Sequence, residues 1–281
     1  MYRLLTVLAG MVLFLAQLHA QEYAWKTVPV DGSLTGCTAS SADNIDKAIG
    51  VIGDDGSYYS PSGKRFSASS ATARVASIVI GAQSEMADLK KVIAHSTDAM
   101  PRKRYECALS NWFVGVVMDK VSSLSGKKCD VGICNFGGIR QGMPQGDVLL
   151  DDIQSMFPFK NYLVHLEMKG GELRKLFESM AQSVFQAVAG VHIEVVDKKL
   201  VSVMIGGQPL DDAKVYDVAT ISFLLSGGDG LRLADGAVSV NQYDVLISDA
   251  VLEHINALTS EGQSITGHPS DSAASPSAYA A

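Results

Sequence analysis

Two glycine pairs, each closing an apolar run, limit what this chain can become. Val131 and Ile133 lead into Asn135-Phe136-Gly137-Gly138-Ile139-Arg140, and the run from Val215 leads into Phe223-Leu224-Leu225-Ser226-Gly227-Gly228-Asp229-Gly230. Glycine reaches positive φ at little steric cost and lets the backbone approach another group, so each pair reads as a tight turn at a strand end. The first turn stops at a guanidinium, whose planar fork of donors suits a carboxylate, a phosphate or a ring face. The second offers an aromatic ring and a carboxylate, one surface to stack on and one acceptor for hydroxyl groups. Either turn alone is what any two core strands would use.

Around these turns the hydrophobic spacing alternates between helix and strand. Val75, Ile78, Val79, Ala82, Met86, Leu89 and Ile93 recur at three- and four-residue steps, which predicts one amphipathic helix ended by Thr97-Asp98 and Pro101. Lys103 to Cys107 reads as a short extended segment. Leu109, Trp112, Phe113, Val116, Val117, Val121 and Leu124 predict a second helix closed by Gly126. A short helix over 148–156 leads to Phe157-Pro158-Phe159, and residues 162–168 alternate as a strand. Lys169-Gly170-Gly171 then opens a helix built on Leu173, Leu176, Phe177, Met180 and Val184. Strands over 191–196 and 200–205 are joined at Asp197-Lys198-Lys199, a further strand covers 215–223, and a last strand and helix fill 243–258. Interleaved strands and helices, several joined by hairpins, predict an α/β fold with mixed sheets and helices outside.

The order of four motifs carries more than any one of them. Asn135-Phe-Gly-Gly-Ile-Arg140, Phe157-Pro158-Phe159, Met168-Lys169-Gly170-Gly171-Glu172-Leu173 and Phe223 through Gly230 together resemble the C-terminal domain of the 5′-nucleotidase family over about residues 85–255. The resemblance implies a four-layer α-β-β-α sandwich that binds the nucleoside part of a substrate. It also implies roles for residues. Phe159 and Phe223 would sandwich a nucleobase, and Asp229 would accept hydrogen bonds from ribose hydroxyls. Arg140 and Lys103 would meet ribose or phosphate oxygens, with Arg104 beside Lys103 as an alternative because the family usually has arginine there. Asn135 and Asn161 would supply amide groups near the base, and Gly137, Gly138, Gly227 and Gly228 would shape the two loops. Phe157 reads as a core residue, as does the strand residue His165.

In that family a separate metallophosphoesterase domain performs hydrolysis with two metals. Its ligand segments, Asp-x-His, Gly-Asn-His-Asp/Glu and Gly-His-x-His, do not occur here, and the one Gly-His pair is Gly267-His268. The expectation is therefore no catalytic residue and no metal on this chain, with divalent metals only on a partner metallophosphoesterase chain. Two readings stay open: the nucleotide-recognition part of a split 5′-nucleotidase, and an exported nucleoside- or nucleotide-binding protein without catalysis. A dinucleotide fold is disfavoured, because no G-x-G-x-x-G opens a helix after the strand.

The remaining sequence constrains location and partners. Arg3, an apolar run from Leu4 to Leu15 and Leu18-His19-Ala20 read as a signal peptide over 1–20, cut before Gln21, on a periplasmic or secreted protein. The run is too short to span a bilayer, so no membrane span is expected after cleavage. The net charge is −7, and losing Arg3 makes the remainder more acidic. No basic stripe is present, which argues against a nucleic acid polymer as partner. Of four cysteines, Cys37, Cys107, Cys129 and Cys134, at most one bridge is expected, with Cys129 and Cys134 the nearest pair in sequence. Residues 21–70 read as an irregular N-terminal extension, 71–258 as the substrate-binding domain, and 259–281 as a loose tail rich in small and polar residues.

Overall fold

The computed structural model describes residues 48–84 and 87–267. The expected signal segment, Cys37, Met86 and the end of the tail from His268 lie outside the described residues.

The chain divides into two compact units, residues 1–76 and 77–281. In the first, three short antiparallel strands, β1 (Val51–Ile52), β2 (Tyr58–Tyr59) and β3 (Arg65–Phe66), form one sheet in that order. Within the described part of the extension, these two-residue strands are the regular structure of residues 51–66. Tyr58 stacks on Phe66 at 5.7 Å between centroids. Asp55 accepts from both the amide and the hydroxyl of Ser57 and pairs with Arg65 at 2.8 Å.

Helix α1 (Ala71–Gly81) is shorter than its spacing predicted. It gives way to 3-10 turns at Ala82–Ser84 and Ala87–Lys90, and Ile93 belongs to strand β4 (Val92–Ser96), paired antiparallel with β6 (Gly146–Leu149). Gly81 sits where the helix stops, and the alternating burial of β4 has a period of two that wins over the three-four pattern. Val75, Ile78 and Val79, read as a core stripe, are exposed.

The rest of the second unit is built on a five-stranded sheet in the order β13-β7-β12-β5-β8, comprising Ala237–Leu246, Tyr162–Lys169, Val215–Ile221, Val131–Cys134 and Ala187–Ala189. Strands β5 and β12 are parallel, and every other neighbouring pair is antiparallel. Helix α2 (Ala108–Ser125) packs on β8, β5, β12 and β7. It lies close because β5 has no side chain at Gly132, where a Cβ would stand 2.5 Å from Val114 Cγ1. Gly126 ends α2 in the left-handed conformation (φ 70°), with its N–H donating to the Ser122 carbonyl.

Short α3 (Leu150–Met156) and α5 (Ile247–Ser260) pack together, and α5 also packs on α2. Helix α4 (Gly170–Gln182) packs on β7 and on a smaller sheet of β9 (Val191–Val196), β10 (Lys199–Ile205) and β11 (Gln208–Pro209). Asp197 and Lys198 turn between β9 and β10 at φ 48° and 60°, the geometry of a two-residue hairpin.

One core spans these layers, with Phe113, Ile133, Ile153, Leu163, Leu166, Leu173 and Phe177 fully buried. Each such side chain contributes about 1.5–3 kcal/mol by leaving water. Cys107, Cys129 and Cys134 are free. The five residues from Cys129 run into an extended strand and cover about 16 Å, far beyond disulfide reach. Residues 259–267, expected to belong to a loose tail, are held in place: 259–260 close α5, Ile265 is buried and bridged to Ser96, and the Gly267 N–H donates to Asp98.

Candidate functional site

Strand direction delivers four chain segments to one end of the sheet. Because β5 and β12 are parallel (Val131 opposite Val218), the loops leaving them, Asn135–Arg140 and Phe223–Gly230, emerge together. Strand β7 is antiparallel to β12 with Leu163 opposite Ile221, so Phe159–Asn161, which precede it, arrive at the same end. Strand β8 is antiparallel to β5 with Ala187 opposite Cys134, which brings in the loop of Val184 and Gln186. A fifth segment, before α2, contributes Arg104.

These segments enclose a cavity of about 400 Å³, walled by Arg104, Asn135, Phe136, Gly137, Gly138, Arg140, Phe159, Asn161, Val184, Gln186, Phe223 and Asp229. Phe159 and Phe223 are 49% and 44% exposed, unusual for large rings that could have joined the adjoining core. Phe157, two residues from Phe159, turns the other way and packs on Phe113 at 4.6 Å. The Arg140 guanidinium lies 5.8 Å from the Phe159 centroid and donates through Nη1 to the Gly137 carbonyl at 3.3 Å.

The two glycine loops touch each other. Asn135 Nδ2 donates to Asp229 Oδ2 at 2.7 Å, while Asn135 Oδ1 is buried without a partner. Asp229 adopts φ 47°, flanked by Gly228 and Gly230. A Cβ on Gly228 would stand 2.1 Å from the Phe223 carbonyl oxygen, so this glycine is what lets the second loop fold beneath Phe223. The loops are also fastened to the others: the Tyr162 N–H donates to Ser222 Oγ at 3.0 Å, and the Phe136 N–H donates to Gln186 Oε1 at 3.2 Å.

Residues 86–236 match the sequence profile of the 5′-nucleotidase, C-terminal domain. The chain belongs to this family. It is similar to the silent protein UshA(0) of Salmonella typhimurium, 34% identical over 111 residues, which cover 38% of this chain and 20% of that one. It is 27% identical over 143 residues to a 5′-nucleotidase of Vibrio cholerae, covering 49% of this chain and 26% of the relative. The chain thus spans only about a fifth to a quarter of the length of these relatives. Among solved structures, a 5′-nucleotidase precursor from Thermus thermophilus superposes with TM-score 0.58 at 24% identity, over 66% of this chain and 40% of that one. The Haemophilus influenzae NAD nucleotidase superposes with TM-score 0.52 at 16% identity, over 79% and 48%. The mixed α/β architecture described above is the fold of the 5′-nucleotidase C-terminal domain.

Within this family member, the cavity gathers most of the expected site residues: Arg104, Asn135, Arg140, Phe159, Asn161, Phe223 and Asp229, with Gly137 and Gly138. Lys103 is not in the wall, and its ammonium rests 5.3 Å from the Tyr105 ring centroid. Of the two basic residues expected at this position, Arg104 is the one in the wall. Gly227 and Gly228 lie outside the wall and act through the loop's shape. Phe136, Val184 and Gln186 were missed. Val184 had been counted in the preceding helix, which ends at Gln182, and the loop of Gln186 carries no glycine or charge to mark it.

Other ionisable groups stand apart from the cavity. His165 is buried, with Nε2 2.8 Å from Asp217 Oδ1, the hydrogen-bonded core histidine its strand position suggested. Burial pushes the Cys129 thiol up to about 11 and the Cys134 thiol further up, so both are inert packing groups at neutral pH. Among the described residues no group of three or more His, Cys, Asp or Glu side chains could hold a metal ion, so these residues do not fit a two-metal centre. No helix among them is long and apolar enough to cross a membrane.

Proposed function

We propose that this chain is the nucleoside-recognition component of a 5′-nucleotidase, acting on nucleoside 5′-phosphates together with a separately encoded metallophosphoesterase chain. The observation that carries the reading is the convergence of two exposed rings, Phe159 and Phe223, with Asp229 and two guanidiniums on one cavity, from segments far apart in sequence. Ring faces stack on any base, with about 1–3 kcal/mol per base. The Asp229 carboxylate suits the sugar hydroxyls, and Arg104 and Arg140 suit the phosphate oxygens, a charge-assisted contact stronger than a neutral one. The cavity volume lies within the range typical of small-molecule sites.

Under this reading the chain binds and orients the nucleotide, while metals and hydroxide come from the partner. Without a covalent tether, the partner must be held by a real interface. Residues 1–20 carry the pattern of an export signal, so both components are proposed to meet outside the cytoplasm.

The test is calorimetric titration of the full chain with adenosine and AMP, followed by phosphate release from AMP with Mn²⁺ or Zn²⁺, with and without a metallophosphoesterase chain encoded nearby. Binding by the chain and phosphate release only with the partner are the expected results. Binding without any partner-dependent release favours the non-catalytic binding protein. Turnover by this chain alone, or no binding of either ligand, overturns the proposal.

A further inference from the structure

We infer that Asn135 is a positioning residue for the Asp229 carboxylate rather than a reader of the base, so that sugar discrimination is set jointly by the two glycine loops. This rests on the proposal that the cavity takes a nucleoside. The donor end of the Asn135 amide is already engaged, and its acceptor end is buried without a partner. Nδ2 donates to Asp229 Oδ2 at 2.7 Å across 94 residues of sequence. Oδ1 is buried beneath Gly138, where a Cβ would stand 2.7 Å from it. Only 4% of the residue is exposed, so although it lines the cavity it presents little of the amide to a base.

Asp229 needs such support. It holds a left-handed φ of 47° in a loop with Gly227, Gly228 and Gly230, a stretch with little stiffness of its own. Without a fixed donor its carboxylate would sweep over the cavity mouth, and each hydroxyl contact would have to order it first. The amide commits one oxygen and leaves the other for an incoming hydroxyl. Gly137 gives the contact room, since a Cβ there would stand 3.3 Å from both Asn135 Nδ2 and Asp229 Oδ2 and press on both. Gln186, which accepts the Phe136 N–H, braces the turn from behind.

The test uses the full chain and three ligands: adenosine, 2′-deoxyadenosine and 2′,3′-dideoxyadenosine, the last reporting base stacking alone. Asn135→Ala is expected to weaken adenosine binding about tenfold, while dideoxyadenosine affinity and the melting temperature change little. Asn135→Asp adds a pH readout. Near neutral pH the two carboxylates repel, and in acid one proton shared by the pair restores a donor. Ribose preference should therefore recover in acid for Asn135→Asp and not for Asn135→Ala. Arg104 and Arg140, the other charged side chains in the wall, are guanidiniums and add no titration of their own. Equal loss for all three ligands in Asn135→Ala would make Asn135 a base reader, and an unchanged adenosine-to-dideoxyadenosine ratio would show that Asp229 is held without it; either overturns the inference alone. A wild-type chain that binds none of the three overturns the nucleoside reading as well.

Discussion

The guanidinium of Arg140 lies 5.8 Å from the centre of the Phe159 ring, and both side chains belong to the wall of one cavity. The pair joins the turn after β5 to the segment before β7, so a charge for anions and a face for stacking are held as one unit. Phe159→Ala and Phe223→Ala should each weaken adenosine binding by about ten- to a hundredfold. Neither ring is part of the buried core, so the melting temperature should barely move. Calorimetry that finds wild-type affinity in both variants would place the ligand elsewhere.

Lys103 and Arg104 make a paired prediction. Arg104 is in the cavity wall and Lys103 lies against Tyr105. Arg104→Ala should lower AMP affinity by about ten- to a hundredfold, as expected for losing a charge-assisted contact of about 1.5–3 kcal/mol, and should spare adenosine. Lys103→Ala should leave both affinities near wild type. The reverse ranking would return the anion contact to Lys103.

Gly228→Ala tests how the second loop is folded. The added methyl would meet the Phe223 carbonyl oxygen at 2.1 Å and its ring carbons at 2.7 Å, contacts the backbone must move to relieve. Adenosine affinity should fall as far as in Phe223→Ala, although the ring is still present. Full affinity in this variant would mean that the position of Phe223 does not matter.

Phe177 is fully buried between α4 and the core. Phe177→Ala should cost about 3–5 kcal/mol in urea unfolding, the transfer loss plus the cavity left behind. A cost under about 1 kcal/mol would mean that the site collapses or that α4 is not docked as described.

Asp55 gives a pH prediction for the small three-stranded sheet. The Arg65 guanidinium, with the Ser57 amide and hydroxyl, lowers its carboxyl from 3.8 to about 2. A depressed acid stabilises the folded form above its ordinary range and loses that contribution as pH falls through the folded value. The sheet should therefore hold its Ser57 amide contact down to about pH 3 and lose it near pH 2, followed by carboxyl NMR titration of Asp55. A midpoint near 3.8 would show that Arg65 does not hold it.

Much of this arrangement was legible in the residues. Glycine pairs after apolar runs marked both loops, and the order of the motifs, through the family resemblance, singled out Phe159 and Phe223. Asp197-Lys198 read correctly as a hairpin. The register that unites the loops was not legible, because β5 ends at Cys134 and β12 begins only at Val215, and nothing local shows that they pair in parallel. The role of Asn135 was hidden for the same reason: its partner is 94 positions away. The helix over-read through Ile93 shows how a short strand can imitate a three-four spacing when a few apolar residues happen to fall in both patterns.

Four neighbouring strands open toward the same rim, and this separates two jobs that many proteins mix. Their paired backbones carry the burden of folding, while the residues beyond the last rung are released from it. Rim residues can then be exchanged, one loop at a time, without asking the sheet to fold again. A lineage built on this frame can change what it holds by editing its tips alone.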